Sequence, residues 1–339
     1  MALSEVRAVL SLADPMNPEP LVSIIIPTFN RADLLREAVD SALAQTYPDL
    51  EIILADNAST DDTPALAAGY AKDARFRYVR NNENLGMVRN WRKALYEHAA
   101  GEWFLILSDD DLLADPDYIK DAVALIGEFP KTALVYADGY LRAGGKDKPT
   151  ALPFGRNQDG KEIFLTRNAV QPQDFMLCNV LFNRPLALKL GAFSNEHDIA
   201  CDSELFLKSC LSGDVGFIRK PVSVYRLHDN NLLRHYSRDA ALLVNHMEAF
   251  VSPYEMAAES GRFTGPELAL WRRRVILSLF VSIYKRIIIF HKGSLVKLTR
   301  ELCARSRVSF PEFIRLNLEM AAALFKKIVA GGGRGAVLL

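Results

Sequence analysis

The chain has 339 residues, half of them hydrophobic, and its 41 Lys and Arg balance 41 Asp and Glu to a formal net charge of zero. That length buries one large domain or two ordinary ones, and the lack of a basic excess excludes nucleic acid as an expected partner. Cys178, Cys201, Cys210 and Cys303 lie far apart with no CxxC pair, so they read as reduced thiols of a cytoplasmic protein.

Residues 1–20 carry Glu5 and Arg7 where a secretion signal would be apolar, and read as a short helix with a Pro-rich lead-in. LVSIIIP (21–27) is a β-branched run closed by proline, hence a buried strand. RADLLREAVDSALAQ then sets Leu34, Leu35, Ala38, Val39, Ala42 and Leu43 on one helical stripe, with Asn30 or Asp33 as its cap. LEIILAD (50–56) is a second strand, TPALAAGYAKD a helix opened by Thr63 and Pro64, and FRYVRN a third strand. MVRNWRKALYEHAAG is a helix ending at Gly101, EWFLILS a strand, DPDYIKDAVALIGEF a helix and ALVYADGYLRA a strand. This alternation predicts an α/β fold with a mostly parallel sheet and helices on both faces. Ligands of such sheets bind at the carboxyl ends of the strands. The polar clusters stand there: Thr28 to Arg31, Asp56 to Asp62, Asn81 to Gly86, and Ser108 to Asp111.

In FLILSDDDLL, Asp109, Asp110 and Asp111 follow an apolar strand that aims them. Their repulsion is relieved by a divalent cation, and oxygen donors suit Mg²⁺ or Mn²⁺. The alternative is a solvated acidic turn in which an Asp caps the next helix. Asp56 is either an Asx turn with a helix cap or an acceptor for a base N–H. In NNENLGMVRN, Gly86 permits close backbone approach, and Arg89 suits a phosphate or the acidic loop.

Taken together, IIIPTFNR, ADNASTDDT, NENLGMVRN and FLILSDDD, in this order and spacing, resemble the family 2 glycosyltransferases with a GT-A fold. The resemblance covers residues 20–230 and implies a nucleotide-sugar donor, a divalent metal (Mn²⁺ or Mg²⁺) on a DxD-like motif, and inversion at the anomeric carbon. It implies that Pro27, Thr28, Asn30 and Arg31 line the nucleotide pocket. Asp56 would read the base, while Asn84 to Gly86 and Arg89 close over the nucleotide. Relatives often read DxDD, whereas Ser108 holds the first of those positions here. Either Asp109 with Asp111 or Asp110 with Asp111 is then the working pair, and the assignment taken is Asp111 on the metal with Asp109 and Asp110 near the donor.

Residues 143–174, rich in Gly, Pro, Lys and Asn, read as a long loop or lid. The resemblance continues in NVLFNRPLALKLGAFSNEHDIACDSELFLKSCL, where Asp202 matches the general base and Cys201 replaces a glutamate common in relatives. An inverting transfer needs such a carboxylate to deprotonate the acceptor hydroxyl; an ordinary N-cap of the helix is the structural alternative for Asp202. In YRLHDNN, His228 matches a further metal or diphosphate contact, and Arg226 is expected to pack or pair with acidic side chains.

The division is thus a lead-in (1–20), a GT-A domain (21–235, its nucleotide-sugar half 21–118 and acceptor half 119–235) and an α-helical C-terminal extension (236–339). In the extension, VILSLFVSIY is bracketed by Arg272 to Arg274 and by Lys285 and Arg286. That run is too short to span a bilayer and reads as a peripheral contact with an anionic membrane or as a helical homodimer interface. The expected activity is transfer of a sugar, from UDP by preference, to a glycan or lipid-linked saccharide in bacterial surface polysaccharide synthesis. A sugar-phosphate nucleotidyltransferase is the alternative enzyme, but PTFNRAD lacks its Gly-rich loop. A non-catalytic membrane-associated scaffold is the third reading.

Overall fold

Strand β1 (Val22–Thr28) is buried from end to end, because both faces of the sheet are covered. Ile24 and Ile26 enter one core cluster with Leu35, Val39, Ile119 and Ile126, while Ile25 enters the opposite one with Trp91, Phe104 and Phe206. A strand clad on two sides reads as an unbroken apolar run and not as an alternation. The computed structural model describes residues 19–166, 176–195, 200–228, 231, 248–276, 300, 303–304, 309, 311–312 and 314–315.

After β1 come α1 (Ala32–Leu43), β2 (Leu50–Asp56), α2 (Thr63–Tyr70), β3 (Phe76–Arg80), α3 (Met87–Lys93, prolonged by a π-helical turn to His98) and β4 (Trp103–Ile106). A two-residue β5 (Leu112–Leu113), α4 (Tyr118–Glu128), β6 (Thr132–Ala143), β7 (Lys146–Pro149) and β8 (Asn157–Gln158) follow. Then come α5 (Gly160–Thr166), β9 (Val180–Asn183), α6 (Arg184–Lys189), α7 (Cys201–Ser212), β10 (Asp214–Leu227) and α8 (Glu248–Glu259). The strands are ordered β3-β2-β1-β4-β9-β6-β10-β5, with β7 paired to β6 and β8 to β10. β1 to β4 are parallel; β9 runs antiparallel between β4 and β6. This is the GT-A arrangement.

Two expectations change. Residues 143–174 are not one long loop in their described part: Gly144 and Gly145, both at positive φ, turn β6 back into the antiparallel β7, and α5 follows. Lys146–Pro149 is exposed along its length, so no apolar period betrays it as a strand. The cap of α1 is neither Asn30 nor Asp33. The Asp61 carboxylate, from the loop after β2, accepts the Ala32 N–H at 2.9 Å.

Past residue 248 the chain packs on the same core as α5 and α7. Trp271, in a helix over 265–276, stacks on Phe164 at 4.5 Å and donates its indole N–H to the Phe164 carbonyl at 2.8 Å. No helix among the described residues is long and apolar enough to cross a membrane. Most of the VILSLFVSIY segment, the N-terminal lead-in and the glycine-rich tail lie outside the described residues.

Candidate active site

Strand register builds the first wall of the site. Thr28 pairs with Asp56 and Asp56 with Arg80, so three strand ends put a hydroxyl, a carboxylate and a guanidinium in one row at the carboxyl edge. Asp56 is wholly buried. Its Oδ1 accepts the Ser59 N–H at 2.8 Å, which is the Asx turn, and its Oδ2 accepts the Tyr78 hydroxyl at 2.6 Å and Arg80 Nη1 at 2.8 Å. Asn30, at φ 53°, turns β1 into α1 and accepts the Thr60 N–H at 2.7 Å, which joins the loops after β1 and β2. Phe29 stands 41 % exposed beside them.

The acidic triple follows β4 and is almost fully buried. Arg31 Nη1 lies 3.2 Å from Asp109 and 2.6 Å from Asp110, across the sheet edge. Burial pulls the Arg31 guanidinium toward deprotonation, and Asp109 and Asp110 more than reverse this. On the other side β10, whose pairing with β6 shifts register between Ile218 and Pro221 and again between Pro221 and Val224, also pairs with β5, and Arg226 and His228 beyond that pairing face the triple. The Arg226 N–H donates to Asp111 Oδ1 at 3.0 Å, its Nε donates to the Asp110 carbonyl, and its Nη1 pairs with Glu37 at 3.1 Å. Asp110 Oδ2 also meets His228 Nε2 at 3.1 Å and Asn231 Nδ2 at 3.4 Å. Desolvation drives Asp109 up to about 6 against the pull of Arg31, and drives Asp111 well up, helped by the neighbouring Asp110.

The loop before α3 is held by asparagines. Asn57 Nδ2 donates to Asn84 Oδ1 at 2.7 Å and to the Gly86 carbonyl at 3.2 Å, while its Oδ1 accepts the Leu85 N–H at 2.9 Å and Asn81 Nδ2 at 3.1 Å. Asn81 donates on to Asn90, and Asn90 donates to the Ala55 carbonyl. Gly86 has φ 84°, and nothing lies within 4 Å of where its Cβ would be. The glycine is therefore required by the backbone conformation and not by crowding. Arg89 is exposed on the first turn of α3.

Asp202 lies in the first turn of α7, behind Ala200 at the N-cap, so it is not the cap itself. Its Oδ1 accepts the Ser203 N–H at 2.6 Å, and burial raises its pKa to about 6. Tyr225 ties this residue to the triple. Desolvation raises the phenol, and the negative charges of Asp111, Asp110 and Asp202 all add to that rise. The structure thus gathers Thr28, Arg31, Asp109, Asp110, Asp111, Arg226 and His228 into direct contact or close apposition. Asp56 stands in the adjoining row, and Asn84 and Gly86 border it through Asn57. Inspection of the sequence assigned nothing to Asn57, Tyr78, Arg80, Tyr225 or Asn231. Only the placement of Asn57 and Arg80 next to strand ends hinted at them.

The donor set suits a hard divalent cation: clustered carboxylate oxygens plus an imidazole. The Thr28 hydroxyl, buried next to Asp109, has no hydrogen bond of normal geometry. Asp109 and Asp111, which desolvation pushes toward protonation, belong to a site where added positive charge is favourable. Among the described residues no three His, Cys, Asp or Glu side chains already converge on one point at ligand distance.

Residues 23–182 match the sequence profile of "Glycosyl transferase family 2". An uncharacterized glycosyltransferase of Rickettsia typhi is 29 % identical over 216 residues, which is 62 % of this chain and 65 % of that protein. The chain thus spans just under two thirds of that relative's length. Staphylococcus aureus TarS 1–349 in complex with UDP-GlcNAc superposes with a TM-score of 0.54 at 17 % identity, covering 86 % of this chain and 93 % of that one. A mannosyltransferase from Pyrobaculum calidifontis in complex with GDP-Man and Mn²⁺ gives 0.52 at 19 % identity, covering 97 % and 100 %. At these identities the two structures speak for the shared fold.

Proposed function

We propose that this chain, whose residues 23–182 match glycosyl transferase family 2, is an inverting, metal-dependent transferase of that family. It moves a sugar from a nucleoside-diphosphate sugar, UDP-linked by preference, to a hydroxyl of a glycan or lipid-linked saccharide. The observation that carries this reading is the buried acidic triple at the carboxyl edge of the sheet, met by Arg31 at 3.2 Å from Asp109 and 2.6 Å from Asp110 and by His228 at 3.1 Å from Asp110. Charge gathered and held in this way is what a departing diphosphate and its cation require.

The nucleotide lies along the row of Thr28, Asp56 and Arg80. Three of the roughly four lone-pair sites of Asp56 are taken by Ser59, Tyr78 and Arg80. One remains for a base N–H such as N3–H of uracil, and Arg80 offers a guanidinium to a base carbonyl. Phe29 gives the base a face to stack on. Pro27 and Asn30 shape the turn beneath it, and Asn84 to Gly86 with Arg89 cover it. Asp111, with Asp109 and His228, would hold Mn²⁺ or Mg²⁺, which when bound neutralises charge on the departing diphosphate. Arg31 opposes the upward pull of burial on Asp109 and holds Asp109 and Asp110 in place. Asp202 takes the proton of the acceptor hydroxyl while that oxygen bonds to the anomeric carbon and the bond to the diphosphate breaks. A pKa of about 6 leaves it mostly ionised at neutral pH yet basic enough to act.

Thermal melts with UDP, GDP and dTDP, each with and without Mn²⁺, test the donor end. One diphosphate raises the melting temperature in a Mn²⁺-dependent manner, because a ligand of the native state alone adds to its stability. UDP is the expected one, and a shift with GDP alone would transfer the preference to guanine. The absence of any shift overturns the reading.

A further inference from the structure

One side chain, Asn57, joins the loops after β2 and β3, and it is 4 % exposed. Its Nδ2 donates to Asn84 Oδ1 at 2.7 Å and to the Gly86 carbonyl at 3.2 Å. Its Oδ1 accepts the Leu85 N–H at 2.9 Å and Asn81 Nδ2 at 3.1 Å. An amide has two protons to give and two lone pairs to fill, so its full capacity is used, three bonds of it on the successive residues 84, 85 and 86. The orientation is forced, because the Gly86 carbonyl can only accept and the Leu85 N–H can only donate. An ionised Asp has no proton to give and Ser or Thr has one, so neither could make the same set of bonds.

The same residue is anchored on the row of strand ends that starts the site. Its N–H donates to the Thr28 carbonyl at 2.9 Å, and the Asn81 N–H donates to the Asp56 carbonyl at 2.9 Å. Behind it Asn81 Nδ2 donates to Asn90 Oδ1 at 2.8 Å and Asn90 Nδ2 to the Ala55 carbonyl at 2.9 Å. The Asn90 N–H closes the circuit on the Gly86 carbonyl at 3.1 Å. Asn81 and Asn90 are buried as well. Amides paired in this way away from water hold one geometry, since any other leaves polar groups without partners. On the outer side residues 82–84 and Gly86 are exposed, and nothing lies within 4 Å of where a Gly86 Cβ would be. The loop is fixed from beneath and open above.

We propose that Asn57 is the positioning residue of the nucleotide loop: its amide sets the main chain at 84–86 before the donor arrives, so that the nucleotide meets a preformed wall. This rests on the nucleotide-sugar reading above, in which Asn84 to Gly86 cover the nucleotide. Asn57 acts through Asn84, Leu85 and Gly86 and not by touching the nucleotide. A loop that must be ordered at the moment of binding subtracts from affinity, and a loop ordered in advance does not.

The test is calorimetric titration of the full chain with UDP, GDP and dTDP, each with Mn²⁺; the one that wild type binds most tightly is then carried through the variants. Asn57→Ala removes every side-chain bond, while Asn57→Asp keeps the oxygen that Leu85 and Asn81 meet and sets oxygen against oxygen at Asn84 and Gly86. Asn84→Ala and its double variant with Asn57→Ala complete a cycle. The expected result is a Kd raised about tenfold or more in both Asn57 variants, the worth of a binding loop that is no longer preformed. The double variant should be weakened by less than the two single effects combined, because both residues act through one loop conformation. Amide exchange at Leu85 and Gly86 should speed up in the Asn57 variants by more than it does in β1. A smaller rise in Kd, effects that add in the double variant, or exchange that rises no more in the loop than in β1 overturns the inference. So does failure of both Asn57 variants to fold, since the residue would then hold the domain and not the loop. If wild type binds none of the three diphosphates, the nucleotide-sugar reading itself falls and takes this inference with it.

Discussion

Replacing Asp202 by Asn separates catalysis from folding, because the two should move in opposite directions. Burial raises this carboxyl from 3.8 to about 6, so the folded protein prefers it neutral. The group's contribution to stability is full below the unfolded value and is lost as the pH rises through about 6. At pH 8 the ionised side chain costs the fold at most ~3 kcal/mol, from 1.36 kcal/mol for each tenfold change in proton affinity. Asn keeps an oxygen for the Ser203 N–H and carries no charge. Asp202→Asn is therefore expected to be more stable than wild type at pH 8 by up to ~3 kcal/mol, and equal to it near pH 3.5 if both remain folded there. Transfer should fall by about 10²–10⁴, the usual worth of a positioned general base. The assays are urea unfolding at several pH values and a pH profile of kcat/KM. The wild-type profile rises with unit slope to about pH 6 and then levels, while the residual rate of the variant lacks that rise. A variant within tenfold of wild-type activity, or one less stable than wild type at pH 8, refutes the reasoning.

Removal of divalent metal with a chelator should abolish transfer, and Mn²⁺ or Mg²⁺ should restore it; full turnover in chelator would sink the metal assignment for Asp111, Asp109 and His228. Gly86→Ala puts a side chain at φ 84° with free space around it, so the cost is conformational alone, about 1–2 kcal/mol. The donor KM should rise several-fold with little change in kcat, and an unchanged donor KM would remove Gly86 from the nucleotide loop. Trp271→Ala loses a stacked, hydrogen-bonded and buried indole and should destabilise by about 3–5 kcal/mol in urea unfolding. A loss under 1 kcal/mol would mean that the C-terminal helices contribute little to this core.

The donor half was legible because its strands are buried on both faces. LVSIIIP and LEIILAD needed no partner to be recognised, and once they stand parallel their following loops must share one edge. The contacts that finish the site were hidden for a physical reason: they join residues far apart in sequence. Asp61 caps α1 from the next loop, 29 residues on from Ala32, and Asn57 reads locally as a turn former although it fastens the loop at 84–86. β7 was missed because an exposed, charged edge strand carries no apolar period.

The distribution of positive charge divides the site by task. Asp109 and Asp110 are met by Arg31, Asp110 also by His228, and Asp56 by Arg80. Carboxylates paired in this way are fixed scaffolds for a cation and a diphosphate. Among the described residues Asp202 meets only main-chain and hydroxyl dipoles, and burial raises its proton affinity. Moving a cation from one end to the other would undo both. Without Arg31, two buried like charges repel at close range; with a lysine beside Asp202, the base would lose the basicity that burial confers. Among the described residues the arginines thus meet the acidic triple and Asp56, and none is paired with Asp202.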